Sequence, residues 1–297
     1  MELVLGYACL NTTMPFKMKT LRLATYEAKG NQYLKELVLN NLLYVKACLQ
    51  WNDQHNISFF RISSDLVPLA THPRMTFAWW KDADISVSCD EIREFASSRH
   101  MRLSMHPGQY TLLNSPKEDV VRRSVEDLVY HQLMAEKLGV SDLITHVGGL
   151  YGSRLEAMNR WIGVYQQLPA GIRQRLRLEN DEKLFSIEDI LSLADTTGIP
   201  AVLDFHHHRL LPSLETGLAI RRTVQTWKGI DDPKLHLSSG KTSRLDPRHH
   251  DFVLQEDYDE AVVLLASSVD LSQRVYLMLE AKQKEQAVLR LQQVNAG

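Results

Sequence analysis

Residues 176–208 read LRLENDEKLFSIEDILSLADTTGIPAVLDFHHH, and this stretch decides the fold. It opens on a short apolar run, Leu176–Glu179, and reaches a second, Ala201–Asp204; each has strand length and ends in an acid. Between them Ser186, with Asp189 three residues on, carries the signature of a capped helix start. Strand, helix, strand within about thirty residues is a βα unit with parallel strands and a right-handed crossover. The same alternation runs outward in both directions. Strand candidates precede it at Leu3–Tyr7, Ile57–Ile62, Arg102–Met105 and Leu143–His146, and follow it at Lys234–Leu237 and Val275–Glu280. Apolar stripes at helical spacing fill the intervals, as in Leu34, Leu37, Val38, Leu42 and Val45, or Val125, Leu128, Val129 and Leu133. Further helix starts are expected at Ser153, with Glu156, and at Asp257 before Ala261. Eight such units predict a single TIM (β/α)8 barrel, one domain over residues 1–297. The stretches around Thr71–Asp82, Arg209–Ser213 and Ser238–Asp251 are then long βα loops that build a groove. An open doubly wound sheet is the alternative, but no Gly-rich phosphate fingerprint follows the first strand.

The 297 residues carry 34 Lys+Arg against 36 Asp+Glu, a formal charge of −2, and 44% hydrophobic residues. The apolar fraction supports a sizeable core and excludes wholesale disorder. The longest strongly apolar run, Ala261–Ala266, falls far short of the roughly 20 residues a bilayer crossing needs. Met1-Glu2-Leu3 lacks the basic start of a signal peptide. Cys9, Cys48 and Cys89 have no C-x-x-C spacing and are expected to be reduced. A cytoplasmic monomer with no membrane association is the expectation. Near-neutral charge excludes a protein that holds nucleic acid by bulk positive charge, though not one that uses local charge. The unusual count is histidine: 12, against 10 Pro and 14 Gly. Neutral imidazole is the commonest transition-metal ligand, so the surplus prompts a search for a metal site.

Strand C-termini of a barrel meet at one face, which is where this fold carries its chemistry. His106, His146, Glu179 and Asp204 end strands three to six; His207 follows, His236 lies in strand seven and Glu280 ends strand eight. His72 and His250, in the loops after strands two and seven, can reach the same mouth. Taken singly, each is better read as a hydrogen-bonding or surface residue, and His55, His100 and His131 are left in that class. Taken together they resist it, because packing alone prefers Val, Ile or Leu at such positions. Clustered carboxylates repel one another unless cations neutralise them. A mixed imidazole and carboxylate set suits Mn²⁺, Zn²⁺ or Fe²⁺ rather than Ca²⁺. Nine candidate ligands exceed the needs of one ion, so two or three ions sharing carboxylates are expected. Ions about 3.5–4 Å apart are the arrangement that stabilises both oxygens of a phosphoryl transfer.

The strings around these residues narrow the substrate. His106 sits in SMHPGQY (104–110), His146 in THVGG (145–149), Glu179 in LEND (178–181) and His207 in DFHHH (204–208). KLH (234–236), EAK (280–282), the opening LGYA (5–8) and Asn11 complete the set. Together they resemble the UV damage endonuclease family from Gly6 to about Glu285. The resemblance implies a metal-dependent DNA repair enzyme on a barrel related to endonuclease IV, with damaged double-stranded DNA as its partner. Such enzymes nick immediately 5′ to cyclobutane pyrimidine dimers and 6-4 photoproducts, act also at abasic sites, and use up to three ions. Manganese is the first expectation for these, with zinc or magnesium as alternatives. The family's ligand pattern falls on His72, His106, His146, Glu179, Asp204, His207, His236, His250 and Glu280. Catalytic roles are expected for Glu179, Glu280, His236 and Lys234. The lysine amine can be carboxylated in the family (N6-carboxylysine); a lysine turned out to solvent is the alternative. Gln109 and Tyr110 match the pair that probes the lesion, and Tyr7 and Asn11 match residues lining the lesion pocket. In His206-His207-His208 and His249-His250 the neighbouring residues favour His207 and His250, each open to a slip by one. Two other readings stand beside this one: a metal-dependent sugar isomerase, against which the Gln109-Tyr110 loop and the ligand count argue, and a non-catalytic lesion sensor with structural metal.

Overall fold

The computed structural model describes residues 1–295. Its strands are β1 (Glu2–Cys9), β2 (Phe59–Ile62), β3 (Arg102–Met105), β4 (Asp142–Thr145), β5 (Leu176–Glu179), β6 (Ala201–Asp204), β7 (Lys234–Leu237) and β8 (Arg274–Leu279). All pair in parallel and in sequence order, and β8 returns to β1 to close the barrel. Around it lie α1 (Leu23–Gln54), α2 (Ala83–Ser98), α3 (Glu118–Leu138), α4 (Arg154–Gln167), α5 (Ala170–Arg175), α6 (Ile187–Thr197), α7 (Phe205–Leu210), α8 (Thr216–Gln225), α9 (Gln255–Ser268) and α10 (Glu285–Asn295). The (β/α)8 expectation is therefore met.

Ser153 and Ser186 form reciprocal capping boxes with Glu156 and Asp189, satisfying the first free amides of α4 and α6. Asp257 is a correction. Helix α9 starts earlier, with Leu254 at its N-cap, and Asp257 is buried within the first turn. Its carboxylate accepts from Ser239 Oγ at 2.5 Å and pairs with Arg209 and Arg244, each at 3.0 Å. Two charged donors outcompete a helix-end amide for it. Strands β4 and β8 stop one residue sooner than their patterns suggested, so His146 and Glu280 are the first loop residues beyond them. Gly6 explains how β1 and β2 meet at closure: a Cβ there would stand 2.5 Å from the Phe59 carbonyl oxygen.

The main apolar core lies between barrel and helices, with Leu34, Val38, Leu128, Trp161 and Leu277 among its members. The inside of the barrel is different. Alternation along the strands puts Phe59 and Arg61 on one face, as it does Asp142 and Ile144, Arg177 and Glu179, and Lys234 and His236. That face is interior, since Lys234 Nζ of β7 reaches Asp142 Oδ2 of β4 at 2.6 Å, across the barrel. At the N-terminal end Asp142 also binds Arg177 (2.8 Å) and Arg102 (3.0 Å), both 5–6 Å from the Trp227 ring. An apolar middle, including Phe59, Ile144, Val202 and Met278, separates this ionic floor from a second polar layer at the C-terminal end.

Candidate metal centre

Glu179, at the end of β5, is the hub of that upper layer. Its Oε2 lies 3.1 Å from His106 Nε2 and 3.9 Å from His146 Nε2. Its Oε1 lies 2.7 Å from His236 Nδ1 and 3.9 Å from His207 Nδ1. Three sets of side chains, each with ligand atoms mutually within 4.8 Å, share this carboxylate: His106, His146 and Glu179; Glu179, His236 and Glu280; Glu179, Asp204 and His207.

Local chain geometry aims these groups. Strand β6 runs straight into α7, whose N-cap is Asp204, and Asp204 Oδ1 accepts from the His207 amide at 2.8 Å. This turn directs His207 towards Glu179, whereas His206 Nε2 meets the Asp246 carbonyl at 2.9 Å. Asn180 ties the ends of β5 and β6: its Oδ1 accepts from the Asp204 amide (2.8 Å) and its Nδ2 donates to the Asp204 carbonyl (3.2 Å). After β4, Gly148 takes φ +115°, a conformation that disfavours any side chain, and the Asn114 Oδ1 already fills the space a Cβ would enter. Three imidazoles also touch backbone carbonyls through Nδ1: His106 at Pro107 (2.9 Å), His146 at Glu179 (3.3 Å) and His207 at Asn180 (3.0 Å). For His106 and His146 an Nδ1–H held there leaves Nε2 as the lone-pair nitrogen, the arrangement typical of metal-binding histidines.

The donors suit divalent cations. Asp204 Oδ2 is buried with no hydrogen-bond partner, a costly state for a carboxylate oxygen and one a cation relieves. Burial pushes the Glu179 carboxyl up, but His236, His146 and His106 outweigh it and hold it well below the usual range. Glu280 is likewise held down, burial being outweighed by Arg61 and His236. His207 is raised to about 9: burial opposes this, and Asp204, Glu179 and Glu280 prevail. His146 is lowered by its burial. Ionised acids beside a mostly neutral His146 make a hard, mixed N/O donor set.

Among the described residues, His72 and His250 join none of these sets. His72 is half-buried in the loop after β2 and accepts from the Arg74 amide through Nδ1. His250 Nδ1 is taken by the Phe252 amide at 3.1 Å, while His249 Nδ1 stands 3.9 Å from Glu280 Oε2. Lys234 is fully buried and bound to Asp142, not turned to solvent, and burial pushes its amine down to about 7. Gln109 and Tyr110 project from the β3–α3 loop, Tyr110 being 81% exposed. Tyr7 is buried, donating to Asn52 Oδ1 (2.7 Å) and accepting from Asn11 Nδ2 (2.9 Å). Arg61, which no motif marks, joins the site: its Nη2 lies 2.7 Å from Glu280 Oε1 and 3.0 Å from His236 Nε2. A base on the inward face of the strand FFRI was the available signal.

Residues 3–296 match the family described as UV-endonuclease UvdE. The chain belongs to this family. UvdE-family relatives include the UV-damage endonuclease of Schizosaccharomyces pombe, 34% identical over 309 residues and covering 97% of this chain. The chain spans only half of that protein's length. The UV DNA damage endonuclease of Halalkalibacterium halodurans is 32% identical, with 98% of this chain and 93% of the relative aligned. Among solved structures, SacUVDE superposes with a TM-score of 0.89 at 34% identity, over 99% of both chains. Endonuclease IV from Thermus thermophilus (TM-score 0.59, 20% identity; 85% of this chain, 93% of that one) shares the fold with this UvdE-family chain. D-psicose 3-epimerase (0.55, 10%; 78% of each) shares it too.

Proposed function

We propose that this chain is a metal-dependent endonuclease that nicks damaged double-stranded DNA immediately 5′ to cyclobutane pyrimidine dimers and 6-4 photoproducts, and at abasic sites. The observation that carries the reading is one buried carboxylate, Glu179, common to three His/acid sets, beneath a loop whose tyrosine stands in solvent. Two or three divalent ions, manganese first and zinc or magnesium next, are the cofactors in this reading. Held by His106, His146, Glu179, Asp204, His207, His236 and Glu280, they supply Lewis-acid stabilisation of phosphate oxygens and a more acidic water. His72 and His250, or His249 in place of the latter, complete the proposed ligands from the surrounding loops.

The chain's own groups divide the remaining work. Arg61 occupies Glu280 Oε1 and leaves Oε2 on the side of His249, so Glu280 is oriented and kept ionised to align the attacking water. Gln109 and Tyr110 wedge into the stack, where a damaged step lowers the cost of opening. Tyr7 and Asn11, hydrogen-bonded to each other, are assigned to the lining of the lesion pocket. Lys234 enters the reading as a carboxylation site: an amine pushed down to about 7 is largely unprotonated at pH 8 and can add CO₂, losing one proton to form the carbamate. We take residues 1–297 as one domain acting as a monomer. The cytoplasm is the proposed compartment, which the free Cys9, Cys48 and Cys89 suit.

The deciding experiment is nicking of irradiated and unirradiated plasmid with chelator, then with added Mn²⁺. Nicks confined to irradiated DNA, lost on chelation and restored by manganese, are expected. Turnover of a free aldose without DNA would favour the sugar-isomerase reading, and lesion binding with no nick at any metal concentration would favour the sensor.

A further inference from the structure

We propose that one face of α3, formed by Ser124, Asp127 and His131, is the seat that positions the lesion-reading loop, so that these residues and Ser64 govern damage recognition without touching DNA. The proposal rests on the endonuclease reading above. The three α3 residues stand three and four positions apart and so share one helix face. Asp127 and Ser124 hold the loop directly, and His131 reaches it through Ser64. Thr111 Oγ1 donates to Asp127 Oδ2 at 2.6 Å, and the Leu112 amide donates to Ser124 Oγ at 2.8 Å. On the other limb Ser64 Oγ donates to the His106 carbonyl at 2.8 Å and lies 2.8 Å from Nε2 of the fully buried His131. The neighbouring Tyr130 hydroxyl donates to the Ser64 carbonyl at 2.8 Å, which fixes Ser64 itself.

Both limbs are thus anchored on α3, and only Gly108, Gln109 and Tyr110 stand free between them, closed by a Thr111 amide bond to the Gly108 carbonyl (3.0 Å). Beneath this tip is a cleft of about 590 Å³ bordered by Val67, Leu69, Leu112 and Arg123, among others. With open space under the tip, packing does not set its position; the hydrogen bonds to α3 do. A wedge that must open a base stack loses affinity if binding also has to order it. His131, which its sequence position leaves as a bland helix histidine, therefore acts through Ser64 as a positioning residue for His106 and the loop.

The test pairs Thr111→Val, which keeps the shape and removes the donor, with Thr111→Ser, which keeps the donor; Ser64→Ala probes the other limb. Nicking kinetics on irradiated plasmid are measured in manganese, alongside manganese content and thermal midpoint. Thr111→Val and Ser64→Ala are expected to raise KM about fivefold to tenfold, as for one lost anchoring hydrogen bond. For Thr111→Val the loss should fall on KM rather than kcat, with manganese content and midpoint held, and Thr111→Ser should stay within about twofold of wild type. Wild-type KM in both Thr111→Val and Ser64→Ala, or an equal loss in Thr111→Ser, overturns the proposal while the endonuclease reading stands. A wild-type protein that does not prefer irradiated plasmid removes that reading and the proposal with it.

Discussion

Replacing Asp142 by Asn tests the ionic floor of the barrel. Asp142 is fully buried and is the shared partner of Lys234 (2.6 Å), Arg177 (2.8 Å) and Arg102 (3.0 Å). Asparagine keeps the shape and removes the charge, leaving three buried cations; among the described residues only Arg102 has a second acid within ion-pair distance, Asp231 at 3.1 Å. Removing one partner of a buried pair costs about 3–5 kcal/mol, because the other is stranded without water. The cost should depend on pH. Burial depresses the Lys234 amine from its ordinary 10.5 to about 7 even with Asp142 opposing it. Between those values the unfolded chain binds the extra proton, so stability rises with pH across the window. Below pH 7 the folded chain holds an ammonium that needs Asp142; above it the amine is largely neutral and needs it less. We expect urea unfolding of the chelated protein, followed by tryptophan fluorescence, to give a loss of about 3–5 kcal/mol at pH 6 and about 1 kcal/mol less at pH 8.5. Adding Lys234→Met to Asp142→Asn should recover part of the loss at pH 6. A cost under about 1 kcal/mol at pH 6, or the same cost at both pH values, would refute the argument.

Glu179→Gln should abolish nicking of irradiated plasmid and lower manganese content while circular dichroism stays unchanged; full nicking by this variant would remove Glu179 from the site. In the metal-free protein His207 is charged up to about pH 9, so binding a cation there must expel its proton. Manganese affinity, read by calorimetry in two buffers of different ionisation enthalpy, should rise by up to about tenfold per pH unit between pH 7 and 9 with proton release. The raised pKa adds stability that is whole below pH 6.5 and lost as pH climbs through about 9. A pH-independent affinity would contradict it. Manganese should raise the thermal midpoint of the wild type more than that of Asp204→Asn, since Asp204 Oδ2 is a buried carboxylate oxygen with no hydrogen-bond partner and belongs to one of the three sets. Gly6→Ala should destabilise the chain and lower its urea midpoint, because the new methyl meets both the Phe59 carbonyl oxygen and the buried Phe59 ring.

Barrel topology and the chemistry of its mouth were readable one residue at a time, because both are written locally. Strand and helix periods repeat along the chain, and acids or imidazoles at the ends of apolar runs stand out wherever the strands later meet. Glu179, Asp204 and His236 are conspicuous in this way before any coordinates exist. What closure alone decided are relations between residues far apart in sequence. Lys234 and His236 share an inward face two residues apart, yet one falls in the floor beside Asp142 and the other beside Glu179. That height depends on how eight strands are staggered, which no single strand encodes. The loops escaped for a related reason: they have no period, so that His249 faces Glu280, and that His131 holds Ser64 and through it His106, emerged only when separate segments packed against one another.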